Sequence, residues 1–110
     1  MLSFGGVETY EKEVVEIVEP PTVEEMIAEY PWNIEEVHKI ISCESSWNPN
    51  AVGDTDTPYH SYGLFQIRAL PSRPDPEWLL IEKNNIEYAY KLWSQTKSFT
   101  RHWVNCSKRL

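Results

Sequence analysis

A helical run that stops abruptly in turn chemistry constrains this chain more than any other feature. Ile34, Val37, Ile40 and Ile41 recur at steps of three and four, the spacing of one face of an α-helix. Asn33 with Glu36 three residues on predicts a capping box at its start, and Asn48-Pro49-Asn50 predicts its stop. Val37, Ile41 and Glu44 share a face, so Glu44 projects from the buried stripe or its border. Beyond the stop, residues 53–60 are rich in Gly, Asp, Thr and Pro and read as a loop or small hairpin. Ser61 to Ile67 follows, with Gly63 placed where a close approach of backbone or ligand excludes a bulky side chain. A helix-end carboxylate facing a polar loop is a candidate general acid, because partial burial raises its pKa towards neutrality. The competing reading is that Glu44 is solvated or caps its helix, as most glutamates at helix ends are.

Charge separates the two ends of the chain. The net charge is −7, yet residues 1–36 hold ten acids and one base, while residues 37–110 hold nine bases and seven acids. The part carrying Glu44 is thus mildly basic, at +2. No basic stripe or recognition motif points to nucleic acid. No apolar run reaches membrane-span length, and no leader pattern is visible, so the chain reads as a mature form; a monomer acting outside the cell or in its envelope is a further expectation. No Cys/His grouping has metal-ligand spacing, and no nucleophile elbow or phosphate loop is present, so no metal or cofactor is expected. Cys43 and Cys106 stand 63 positions apart. In a reducing compartment they would be two separate buried thiols; in a small exported domain a bridge is the expectation.

In chain order, residues 1–21 alternate Glu and Val and close on Pro20-Pro21, which reads as an acidic tail or linker rather than an edge strand. Residues 22–110 read as one domain. Thr22-Val23-Glu24-Glu25 is a capping-box signature for a short helix to about Tyr30, ended by Pro31. Asp75-Pro76 resembles a helix start. A later helix has Ile86, Ala89, Tyr90 and Trp93 on one face, with Asn84 or Asn85 as its N-cap. Phe99, Trp103, Cys106 and Leu110 recur at helical steps and are expected to close the core. His38 and His60 read as surface or loop histidines.

The order Glu44-Ser45-x-x-Asn48-Pro49-x-Ala51, then a polar loop, then Ser61-x-Gly63-Leu64-Phe65-Gln66-Ile67 resembles the lysozyme-like superfamily. It is most similar to the catalytic domains of soluble lytic transglycosylases and small bacterial and phage muramidases. The resemblance spans roughly residues 23–106 and includes the Asn85–Trp93 run and the Trp103–Cys106 ending. It implies a mainly α-helical, α+β fold with a small loop or β-hairpin wall beside a glycan cleft. It also implies cleavage of the β-1,4 bond between N-acetylmuramic acid and N-acetylglucosamine in peptidoglycan, with Glu44 as the general acid. A helix end packed beside Trp47, Tyr62 and Phe65 would keep that carboxyl protonated. Gln66, Ser61, Tyr62, Ser45 and Trp47 are the expected substrate-binding residues, with Trp78 and Tyr59 as further candidates for stacking on sugars. For Gln66 the alternative is an amide tying the loop to the helix.

Two departures from the family pattern matter. Ser61 stands where animal-type lysozymes carry an aspartate, so the second carboxylate of a two-acid mechanism is missing there. Asp54, Asp56 and Asp75 are possible substitutes, each in turn-like sequence. The Ala-Tyr-Asn stretch of many lytic transglycosylases is replaced by Trp103-Val104-Asn105, leaving Tyr88 and Tyr90 as candidates for the family tyrosine. One convincing carboxylate favours the transglycosylase route, hydrolysis is the alternative within the class, and a non-catalytic wall-binding module is the competitor from outside it.

Overall fold

The computed structural model describes residues 19–110, so most of the segment read as an acidic tail or linker lies outside the described residues. The fold is mixed α+β. Helix α1 (Val23–Ile27) starts as expected: the Thr22 hydroxyl accepts from the Glu25 N–H at 3.1 Å and the Glu25 carboxylate accepts from the Thr22 N–H at 2.9 Å. Helix α2 (Ile34–Ser45) is capped by Asn33, whose side-chain oxygen accepts from the Glu36 N–H at 3.0 Å. It ends earlier than the Asn-Pro-Asn signal, because Ser46 and Trp47 both take left-handed backbone with φ of 53° and 64°.

Strands β1 (Val52–Gly53), β2 (Ser61–Tyr62) and β3 (Ile67–Arg68) form an antiparallel meander in that order. Gly53 pairs with Ser61, and Ser61 with Arg68, so one cross-strand row holds all three. The short helix α3 (Pro76–Leu79) has Asp75 at its cap and proline in its first turn, as the sequence suggested. Helix α4 (Glu82–Ser94) corrects the expected N-cap: Ile81 holds that position, and Asn84 and Asn85 lie inside the first turn. Phe99 to Leu110 closes the core as expected, except at its last residue. Turns lead into a 3-10 helix at Cys106–Arg109; Phe99, Trp103 and Cys106 are buried, but Leu110 is exposed.

The core is aromatic and centred on Trp32, which occupies the turn between α1 and α2. Its ring lies 5.5 Å from Phe65, 5.4 Å from Tyr90, 6.0 Å from Phe99 and 6.2 Å from Trp93, and its indole N–H donates to the Ile27 carbonyl at 2.9 Å. The buried faces of α2 and α4 pack with it through Val37, Ile40, Ile41, Ile86 and Ala89. Cys43 and Cys106 form a disulfide with Cα atoms 5.8 Å apart, joining α2 to the C-terminal 3-10 helix.

The Ser61–Ile67 segment is held to α4 by a buried amide. Asn85 accepts from the Phe65 N–H at 2.9 Å and donates to the carbonyls of Tyr62 at 2.8 Å and Leu79 at 2.9 Å. Gly63, at φ 81°, is the residue that lets this happen: a Cβ there would stand 2.4 Å from the Asn85 amide nitrogen and 2.9 Å from the Leu79 carbonyl. Asn85→Ala is therefore expected to destabilise the fold by about 3 kcal/mol, since it leaves three backbone groups without their partner, two of those bonds being buried. The midpoint of chemical denaturation measures this, and an unchanged midpoint would mean that water replaces the amide.

Candidate active site

Glu44 sits in the last turn of α2 and borders an open cavity of about 560 Å³. Three pieces of chain, with Leu92 of α4, complete its walls. The meander contributes Asp54, Ser61, Gln66 and Arg68; the loop after β3 contributes Leu70 and Arg73; the C-terminal turns contribute Arg101 to Cys106. Burial pushes the Glu44 carboxyl up from its ordinary 4.5 to about 7, and the negative charge of Asp54 adds to the rise. At neutral pH a large fraction of Glu44 therefore carries a proton it can donate.

Asp54 behaves in the opposite way. The Ser61 hydroxyl donates to its carboxylate, and the Arg68 guanidinium lies 3.1 Å from the same oxygen. The Ser61 hydrogen bond, with help from Arg68, lowers its pKa, although burial works against them. The cavity thus holds one acid that keeps its proton and one that stays ionised, the division of labour that acid-base chemistry on a glycosidic bond uses. Asp56 and Asp75, the other substitutes considered for a second carboxylate, are not in its wall.

Ser61 lies in the wall but acts through Asp54. Tyr62, the next residue of β2, is not in the wall; its ring lies 6.3 Å from that of His60. Gln66 also lines the cavity. Its amide N–H₂ donates to the carbonyls of Ala51 at 3.1 Å and Gly63 at 3.0 Å, so its donors tie the loop back to the meander. Gly53 leaves room for it, because a Cβ there would meet the Gln66 carbonyl oxygen at 2.2 Å.

Two further expected contacts fall elsewhere. The Ser45 hydroxyl donates to the Ile41 carbonyl at 3.2 Å, inside its own helix. Trp47, swung aside by its left-handed backbone, lines a separate cavity with His38, Lys39, Ser42, Cys43 and Arg109. Trp78 packs against Tyr88, while Tyr90 stacks on Tyr30 and Trp93, so neither tyrosine nor Trp78 reaches the Glu44 cavity. His38 bonds Glu24 at 2.8 Å on the surface.

Sequence reasoning missed Arg73, Arg101 and His102 as wall residues and Asn85 as the anchor of the loop. The mildly basic charge of residues 37–110 is the available signal for the two arginines. Among the described residues no group of three or more His, Cys, Asp or Glu side chains is arranged to hold a metal ion, and no helix is long and apolar enough to cross a membrane. No family model, curated protein or solved structure matches the chain.

Proposed function

We propose that this chain is a peptidoglycan-cleaving muramidase that cuts the β-1,4 bond between N-acetylmuramic acid and N-acetylglucosamine, with Glu44 as general acid. The observation that carries the reading is the half-buried Glu44 carboxyl, raised to about 7, in a cavity large enough for sugar units. In this reading the cavity is a lysozyme-like glycan cleft, and the meander is one of its walls. Glu44 protonates the glycosidic oxygen as the bond to C1 breaks. In the transglycosylase route the neighbouring acetamido group stabilises the positive charge at C1. Glu44, now ionised, then takes the proton from the sugar's own 6-hydroxyl as that oxygen closes on C1. The Cys43–Cys106 disulfide fits an oxidising compartment, outside the cell or in its envelope, where such a substrate is met. The protein acts there as a monomer. Purified cell-wall sacculi should lose turbidity when the protein is added, and a folded protein that leaves them intact would overturn the reading.

Hydrolysis is the second reading, and Asp54 favours it. An ionised carboxylate in the same cavity can offset charge at C1 or hold a water. Asp54→Asn separates the two. Under the transglycosylase route turnover should stay within about tenfold, and under hydrolysis it should fall by about a hundredfold or more. In either case the loss of activity at high pH, set by deprotonation of Glu44, should move to lower pH, because the charge that helps Glu44 hold its proton is gone. A pH–rate profile of the variant reads both effects.

A further inference from the structure

The cavity holds more positive charge than the chemistry at Glu44 uses. Arg68 is paired with Asp54, and Glu44 carries its proton about half the time near pH 7, which leaves Arg73 and Arg101 in the wall. Among the described residues neither lies within ion-pair distance of a carboxylate. Arg73 is nevertheless fixed in place: one guanidinium nitrogen donates to the Arg68 carbonyl at 3.2 Å, and the remaining donors stay available. Both guanidiniums stand near the His102 ring. Burial lowers the pKa of that imidazole first, and the charges of Arg73 and then Arg101 lower it further. The ring itself is held by Gln95 at 3.0 Å. Two like charges are thus gathered on one wall of a chain whose net charge is −7. An anion in the cavity would be attracted by both charges, and the planar fork of a guanidinium matches a carboxylate.

We propose that Arg73 and Arg101 form a carboxylate-binding subsite, through which the enzyme selects anionic, muramic acid-containing strands over neutral N-acetylglucosamine polymers. This rests on the muramidase reading and adds substrate selection to it. Two parts of such a strand carry the required group: the lactyl side chain of a bare muramic acid, and the acidic residues of an attached stem peptide. A neutral sugar polymer carries none.

Calorimetric titration tests this on the full chain carrying Glu44→Gln, which keeps the ligands intact. Four ligands of equal sugar length serve as probes: peptide-bearing strands, the same strands with every carboxylate amidated, peptide-free strands with free lactyl groups, and a chito-oligosaccharide. Strands that carry the recognised carboxylate, peptide-bearing for the stem or peptide-free for the lactyl group, should bind about tenfold or more tighter than the chito-oligosaccharide, as expected for a charge-assisted hydrogen bond, and added salt should narrow the gap. Amidation should erase that preference, and so should the added pair Arg73→Gln and Arg101→Gln. Preference kept by peptide-free strands assigns the lactyl group; preference confined to peptide-bearing strands assigns the stem. Affinity no greater for either the peptide-bearing or the peptide-free strands than for the chito-oligosaccharide overturns the subsite while leaving the muramidase reading in place. Binding to none of the four overturns both.

Discussion

Glu44→Gln is expected to leave the fold intact and to reduce cell-wall clearing by several powers of ten. General acid catalysis alone contributes about 10²–10⁴-fold, and the same group serves as base in the second half of the transglycosylase route. The substitution keeps the size and shape of the side chain, so lost activity reports the proton and not the packing. It should also change stability in the opposite sense from activity. A carboxyl whose pKa is raised from 4.5 to about 7 on folding makes the native state hold the proton more tightly than the unfolded chain. The stability it leaves in place is complete below pH 4.5 and falls as pH rises through about 7. Glutamine has no such loss, so the variant should be more stable than the parent at pH 8, by about 1 kcal/mol after discounting for the part of Glu44 that solvent reaches. Denaturation at pH 4 and pH 8 measures the difference. A variant that clears walls as well as the parent ends the assignment of Glu44.

Removing the disulfide is expected to have the largest effect on stability. A bridge across 63 positions restricts the unfolded chain by roughly 4 kcal/mol in the chain-entropy model, a large share of what holds a small domain together. The paired substitution Cys43→Ala and Cys106→Ala should lower the thermal midpoint by well over ten degrees. Activity at a permissive temperature should fall as well, because the bridge fixes the C-terminal wall of the cavity beside the helix turn that carries Glu44. Trp103 gives that wall a second anchor, donating to the Phe65 carbonyl at 2.8 Å. The fold should therefore loosen at this wall before it is lost elsewhere. A double variant that melts with the parent would show that packing around Trp103 alone holds the segment.

What was legible in the sequence followed from local rules. Thr22 and Asn33 cap helices because a short polar side chain reaches back to a free N–H, whatever the rest of the fold does. Glu44 was placed at the edge of the buried stripe by helical period alone, and the structure puts it there. Other features depend on contacts between distant segments and have no local signature. Trp32 belongs to no periodic run, yet five aromatic rings surround it. Asn85 looked like a helix cap, but its amide serves a loop some 20 positions earlier in the chain. Asp54 is one of three interchangeable turn aspartates in the sequence; the pairing of β1 with β2, and of β2 with β3, brings it to Ser61 and Arg68. The 99–110 segment shows the reverse: helical spacing of apolar residues there comes from successive turns folding over one core, not from a helix.

Mass spectrometry of the soluble fragments released from purified peptidoglycan tests the account at its centre, because it reports which bond is cut and how. The parent protein should release muropeptides ending in 1,6-anhydromuramic acid, lighter by one water than reducing-end sugars, and the Glu44→Gln protein should release none above background. Reducing muramic acid ends would keep the muramidase and replace the transglycosylase route by hydrolysis, with Asp54 as the group to examine. Fragments cut only in their peptides, or no fragments from a folded parent protein, would contradict the account.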